Sequence, residues 1–350
     1  VDPDYLFSEY LWITGTSETA LNYSKDFSEK AIKHFNSNIK DLFIVEIASN
    51  DGTFLKQFQK SGSKVLGIDP AINIAEIAVK QGVPTQASFF TEELAEELLS
   101  DNGPASLVYA RNVIPHVKEI HSVIAGIEVL LSDDAIGIIE FHNAGLLLKE
   151  LHYDYIYHEH LFYYTLTSIE ALLKKHGLYI FDVSLSPISG GSWVVYFSKD
   201  NRDKSDAFYE AKHSQIETLY NQKGSWIEFS KNAKSHASHL TDLVLNQVKK
   251  HGKIVAYGAS ARSSTLLNYC GICSEHISAV IDKNPLKQGL ITAGSNIPIV
   301  SFEDGLSLIE ESNIILLLAW NFKDEIIEEL RLSGYKGKFI IPLPEEPYIL

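Results

Sequence analysis

The stretch LFIVEIASNDGTFLKQFQKSGSKVLGID, residues 42–69, decides the fold. Leu42 to Ile47 is an unbroken apolar run interrupted only by Glu46, the pattern of a strand covered on both faces. Ser49-Asn50-Asp51-Gly52 is a turn, Thr53 to Gln59 has helical spacing, and Lys64 to Ile68 is a second strand ending in Asp69. Strand, loop, helix and strand within about 30 residues is the βαβ unit of a parallel sheet.

The alternation continues outward from this unit. Amphipathic Ile74 to Gln81, helical Glu92 to Ser100 and the strand Ser106 to Ala110 follow, then helical Val117 to Leu131 and the strand Ala135 to Phe141. A helix from Thr167 to His176 and strands Tyr179 to Leu185 and Ser192 to Ser198 complete one doubly wound domain, expected over 41–200. Residues 1–40 read as a helical cap and 201–250 as a helical bridge, rich in helix formers from Lys204 to Lys250. A second, shorter series, with strands Lys253 to Tyr257, Ile277 to Ile281, Ile314 to Ala319 and Lys338 to Ile341, makes 251–350 a smaller Rossmann-like domain. The fold class is therefore α/β, two doubly wound sheets in one chain.

Composition narrows the partners. A net charge of -15 with pI about 5.3 opposes a long nucleic-acid contact, which needs a concentrated basic face. No apolar run reaches the roughly 20 residues that span a bilayer, and the N-terminus lacks a signal-peptide pattern, so a cytoplasmic protein without membrane partners is expected. Cys270 and Cys273 have no second pair to complete a zinc site. The 350 residues contain no methionine, so the start is expected to be trimmed or modified residues to be missing from the string.

Three constellations carry chemistry. In the first, Glu46, Ala48, Ser49, Asn50 and Gly52 sit where strand one hands over to a helix, and Asp69 ends the next strand, where an acid accepts hydrogen bonds from ribose hydroxyls. Ala48 replaces the first glycine usual in a methyltransferase loop, and G-x-G-x-x-G is absent, so the loop suits S-adenosylmethionine better than NAD. In the second, Tyr157-His158-Glu159-His160 lies among Tyr153, Tyr155, Tyr163 and Tyr164, a density of polar side chains that is either solvated or used. A metal site drawing on His152 or His142 and a purely structural histidine cluster are both open readings; no metal is assigned. The third is the glycine turn Tyr257-Gly-Ala-Ser-Ala-Arg262, with Asp282 after the next strand; it is either structural or a diphosphate cradle, and Trp320-Asn321 either lines the same crevice or is core.

Tyr157 through Tyr164 resembles the Tyr-His-Glu-His-x-x-Tyr signature of the deoxysugar C-methyltransferases, the mycarose and tetronitrose type. Glu46–Gly52 resembles that family's cofactor loop and Asn112-Val-Ile-Pro-His116-Val its Asn-Val-x-x-His-Val segment, while Gly190-Gly-Ser192, Leu318–Glu325 and Ile341-Pro-Leu-Pro344 resemble further blocks. Ser189 and Trp12 depart from the family pattern.

The resemblance implies a class I Rossmann-like methyltransferase domain, a C-terminal Rossmann-like domain that helps hold a nucleotide sugar, and an upstream zinc module. The cysteines of that module are absent here, so either this sequence is expected to begin after it or this member lacks it. It also implies an S-adenosylmethionine-dependent C-methyltransferase acting on a nucleotide-linked keto-deoxysugar through proton abstraction and an enolate. O- or N-methylation, or NAD-linked sugar chemistry, is the alternative. Expected catalytic residues are His160 as base, Glu159 orienting it, His116 and Tyr157 as donors to the enolate, and Tyr10 closing the site. Cofactor contacts are expected from Glu46, Ala48, Ser49, Asn50, Gly52, Asp69 and Asn112, and substrate contacts from His158, Ser192, Tyr257, Arg262 and Asn321.

Overall fold

The structure is a computed structural model, and it describes residues 2–35, 38–186, 190–214, 220 and 222–350. The chain divides into two compact units, residues 1–144 with 159–218 and residues 145–158 with 219–350.

The first unit is built on seven strands: β1 (Phe43–Ile47), β2 (Lys64–Asp69), β3 (Thr85–Ala87), β4 (Ala105–Arg111), β5 (Leu131–His142), β6 (Tyr179–Ser186) and β7 (Ser192–Ser198). Their order is β3-β2-β1-β4-β5-β7-β6, parallel except for β7, which runs antiparallel to both neighbours. Every residue of β1 is buried because helices cover both faces, and the two-residue period sends Phe43, Val45 and Ile47 into one core and Ile44 into the other. The order reverses between β1 and β4, so their carboxyl ends open a crevice.

Local chemistry moves several helix boundaries. The helix expected from Thr53 starts at Leu55, because Gly52 is left-handed (φ 76°) and Asp51 Oδ1 accepts from Thr53 N–H, making a separate turn. The helix expected from Val117 starts at Ile120, since Pro115 builds a 3₁₀ turn, Ile114–His116, that leaves Val117 extended. Tyr157–His160 adopts neither helix nor strand.

The second unit carries β8 (Ile254–Tyr257), β9 (Ile277–Ile281), β10 (Ile299–Val300), β11 (Ile314–Leu317), β12 (Lys338–Ile341) and β13 (Tyr348–Ile349), in the order β10-β9-β8-β11-β12-β13. All are parallel except β13. The stretch read as a bridge holds the helices Asp206–Lys212 and Lys223–His251, the first grouping with the first unit and the second with the second. Among the described residues no helix is long and apolar enough to cross a membrane.

Beneath the first crevice lies a buried charge network. Glu46 accepts from Tyr109 Oη (2.9 Å) and Arg111 Nε (3.2 Å), while Glu140 accepts from Ser186 Oγ (2.6 Å) and Tyr23 Oη (3.4 Å) and lies 3.8 Å from Arg111. The guanidinium stacks on Phe54, 3.1 Å from the ring centroid. Two carboxyls share one cation out of water, so burial raises both, Glu46 to about 7. A raised acid stabilises the fold fully below its unfolded value and loses that contribution as pH rises through its folded value. Wild-type unfolding free energy should thus fall between pH 5 and 8 relative to that of Glu46→Gln, the difference changing by up to about 3 kcal/mol over the window. Parallel urea titrations with the same pH slope would contradict this.

Candidate active site

The loop after β1 takes its shape from alternating left-handed residues, Ala48 (φ 51°), Asn50 (φ 51°) and Gly52. Non-glycine residues hold that conformation only where the surroundings over-determine it. Here Asp69, at the end of β2, accepts from Asn50 N–H (2.8 Å) through one oxygen and from Ala71 N–H (2.9 Å) through the other. The N-terminal segment straps the loop from outside. Thr14 N–H donates to Asn50 Oδ1 (2.8 Å), Gly15 N–H donates to Asp51 Oδ2 (3.0 Å), and Asn50 Nδ2 donates to Trp12 O (3.0 Å). A side chain at Gly15 would put its Cβ 2.6 Å from Asp51 Oδ2, so only glycine lets the strap lie this close. Asn73 fastens the strap's other end through both backbone groups of Tyr10.

These residues fit S-adenosylmethionine. The two backbone bonds use part of the acceptor capacity of Asp69, leaving lone pairs for ribose hydroxyls. Across the crevice Asn112, left-handed at φ 54°, carries a buried Oδ1 with no hydrogen-bond partner among the described residues, an acceptor suited to an ammonium group. Glu46, expected to touch the cofactor, has no exposed surface, and Tyr109 and Arg111 hold its carboxyl beneath the loop.

Beside the crevice the turn after β4 meets the loop 159–163. Leu161 N–H (2.8 Å) and Phe162 N–H (3.2 Å) both donate to Pro115 O. That pairing sets the rings of His116 and His160 4.7 Å apart, with Phe7 edge-on to His116 at 5.8 Å. Glu159 Oε2 is 4.0 Å from His116 Nδ1. Burial lowers His116 to about 4, which keeps it neutral at physiological pH. Tyr10 is partly buried, and burial together with Glu159 and Asp69 raises its hydroxyl well above the ordinary tyrosine range, so it stays a donor.

The remaining expected residues divide between the two units. Ser192 is fully buried in the sheet opposite His142, and Ser189 lies outside the described residues. Tyr157 and His158, rings 6.1 Å apart, belong to the second unit, as do Tyr257, Arg262 and Asn321. Tyr257 donates to Glu329 (2.7 Å), Asn321 sits in the 3₁₀ turn Trp320–Phe322, and Arg262 is ion-paired with Asp154. Asp154 and Arg111 were missed. An acid between two tyrosines and an arginine at a strand end carry no distinctive pattern until partners 108 and 65 residues away are known.

Residues 24–183 match the family model of a methyltransferase domain, and residues 187–344 that of a C-methyltransferase C-terminal domain. The chain is 33% identical over 353 residues to C-methyltransferase NovU of Streptomyces niveus, spanning 99% of this chain and 82% of that protein. The chain belongs to the C-methyltransferase family. Solved structures similar to this C-methyltransferase include the PH0226 protein of Pyrococcus horikoshii (TM-score 0.43, 14% identity, 57% of this chain and 96% of that one). Another is the Synechocystis magnesium protoporphyrin IX methyltransferase with bound S-adenosylmethionine (TM-score 0.39, 13% identity, 51% and 79%).

Asp69→Asn should weaken binding of S-adenosylhomocysteine, read by calorimetry, by roughly 10- to 100-fold, the worth of hydrogen bonds to a charged acceptor. Unchanged affinity in a folded variant would remove Asp69 from the cofactor site.

Proposed function

We propose that this C-methyltransferase acts on a nucleotide-linked keto-deoxysugar, methylating a ring carbon next to the carbonyl by way of an enolate. The single observation that carries the reading is the packing of two imidazoles and a carboxylate, His116, His160 and Glu159, beside the cofactor crevice. Methylation on oxygen or nitrogen needs one base at most. Methylation on carbon needs a base for the C–H and donors for the oxygen that becomes negative.

S-adenosylmethionine, when bound, supplies an electrophilic methyl group. His160, buried against His116, takes the proton from the carbon, and the C–H electron pair moves onto the carbonyl oxygen to form the enolate. His116, held neutral by burial, donates its ring N–H toward that oxygen, as does the Tyr10 hydroxyl. Glu159, next to His160 in the chain, is the carboxylate that offsets the positive charge His160 takes up with the proton. The deoxysugar and its nucleotide come from the family signature that Tyr157–Tyr164 resembles, carbon as acceptor agrees with the similarity to a C-methyltransferase, and the carbonyl comes from the acidity the C–H requires.

In D2O with S-adenosylhomocysteine present, wild type should wash deuterium into the sugar position next to the carbonyl, and His160→Asn should slow that exchange by about 100-fold or more. Retained exchange would move the base elsewhere. Because His116 is already neutral above pH 5, the acid limb of kcat/KM between pH 5 and 8 should be the same in wild type and in a slower His116→Asn variant. A limb that disappears in His116→Asn would assign the titration to His116.

A further inference from the structure

Residues 152–155, just before the Tyr-His-Glu-His signature, are each anchored in the second unit. His152 is buried with its ring 4.9 Å from that of Trp320. Tyr153 Oη is 2.9 Å from His236 Nδ1; Nε2 of the same ring faces Pro342 O at 2.7 Å and must donate there, so Nδ1 accepts from the tyrosine. Asp154, 1% exposed, accepts from Arg262 Nε (3.0 Å), Arg262 Nη2 (3.2 Å to the other oxygen) and Trp320 Nε1 (2.9 Å). Tyr155 lies under the same guanidinium, 5.2 Å from its centre, and Trp320 flanks it at 4.9 Å.

Arg262 follows the glycine turn after β8, the place from which an arginine reaches a diphosphate. Its fork is instead spent on Asp154 and its flat face on two aromatic rings, geometry that fixes a side chain. A carboxylate this deeply buried is stable only while its cation stays, so Arg262 and Asp154 hold each other and, with Trp320, hold the 152–155 backbone. Two residues further on is Tyr157, then His158.

We propose that Arg262, acting through Asp154 and Trp320, is a positioning residue that sets the Tyr157-His158 end of the signature, and that it is not a diphosphate ligand. The proposal rests on the functional reading above only for its kinetic arm.

Amide hydrogen exchange of the full chain without substrate tests it directly. Arg262→Gln and Asp154→Asn should each speed exchange over 152–158 by about 10-fold or more while strands β8 and β11 keep wild-type protection. Trp320→Phe, which removes one donor of three and keeps an aromatic ring, should give a smaller increase and guards against loss of fold in the other two. Binding of uridine diphosphate and thymidine diphosphate should stay within about twofold of wild type in Arg262→Gln. With a nucleotide keto-sugar, kcat should fall about 10-fold or more at nearly constant KM, and the double variant should be no worse than either single one. Wild-type exchange over 152–158 in both variants, or a 10-fold loss of diphosphate binding in Arg262→Gln alone, would overturn the proposal. A wild type that methylates no nucleotide keto-sugar would overturn the functional reading and leave the exchange result to decide this one.

Discussion

One carboxylate fixes the shape of the crevice in the first unit. Asp69 reaches across from the end of β2 and fixes the loop that leaves β1 in a backbone conformation it would not otherwise keep. The strap from Trp12 to Gly15 and the crevice wall at Asn112 make sense only against that fixed loop. Asp69 thereby pre-organises the loop before any ligand arrives, so less ordering has to accompany binding. The buried Glu46, Arg111 and Glu140 network supports the same loop from below, and holds more acid than its single cation neutralises. A fold rarely keeps such a network for stability alone, since apolar packing of the same volume serves at least as well.

The second unit repeats the arrangement. Asp282 follows β9 as Asp69 ends β2, and it accepts from Ala259 N–H (2.7 Å) in the turn after β8 and from Asn284 N–H (2.9 Å) in its own loop. Here Lys287 lies 3.6 Å from Asp282 and donates to Ala259 O, and Gly258 is backed so closely by Ala319 that no side chain fits. The same α/β geometry thus serves two different local chemistries, which is why the fold alone does not assign function.

Much of the architecture was legible in the residues. Buried parallel strands write themselves as apolar runs, and glycine turns after them mark the crevices, so the first βαβ unit of each sheet could be placed from Leu42–Asp69 and Lys253–Ile281, whereas the short strands Thr85–Ala87, Ile299–Val300 and Tyr348–Ile349 offered no such run. The Tyr-His-Glu-His signature was legible as chemistry and not as structure. Its first half groups with the second unit through Tyr153 and Asp154, whose partners lie 83 and 108 residues away, while its second half is held by Pro115. No local pattern encodes such a division. Arg262 is ambiguous for the same reason: beside a glycine turn it reads as an anion ligand, while the acid it pairs with lies 108 residues away.

The central claim is that a proton leaves carbon so that carbon can receive the methyl group. The most direct measurement is to incubate the protein with 13C-methyl S-adenosylmethionine and a panel of nucleotide 4-keto-6-deoxysugars, then locate the label by carbon NMR. The account expects a methyl bonded to a ring carbon adjacent to the carbonyl. Label on oxygen or nitrogen, or on a carbon with no neighbouring carbonyl, would contradict it.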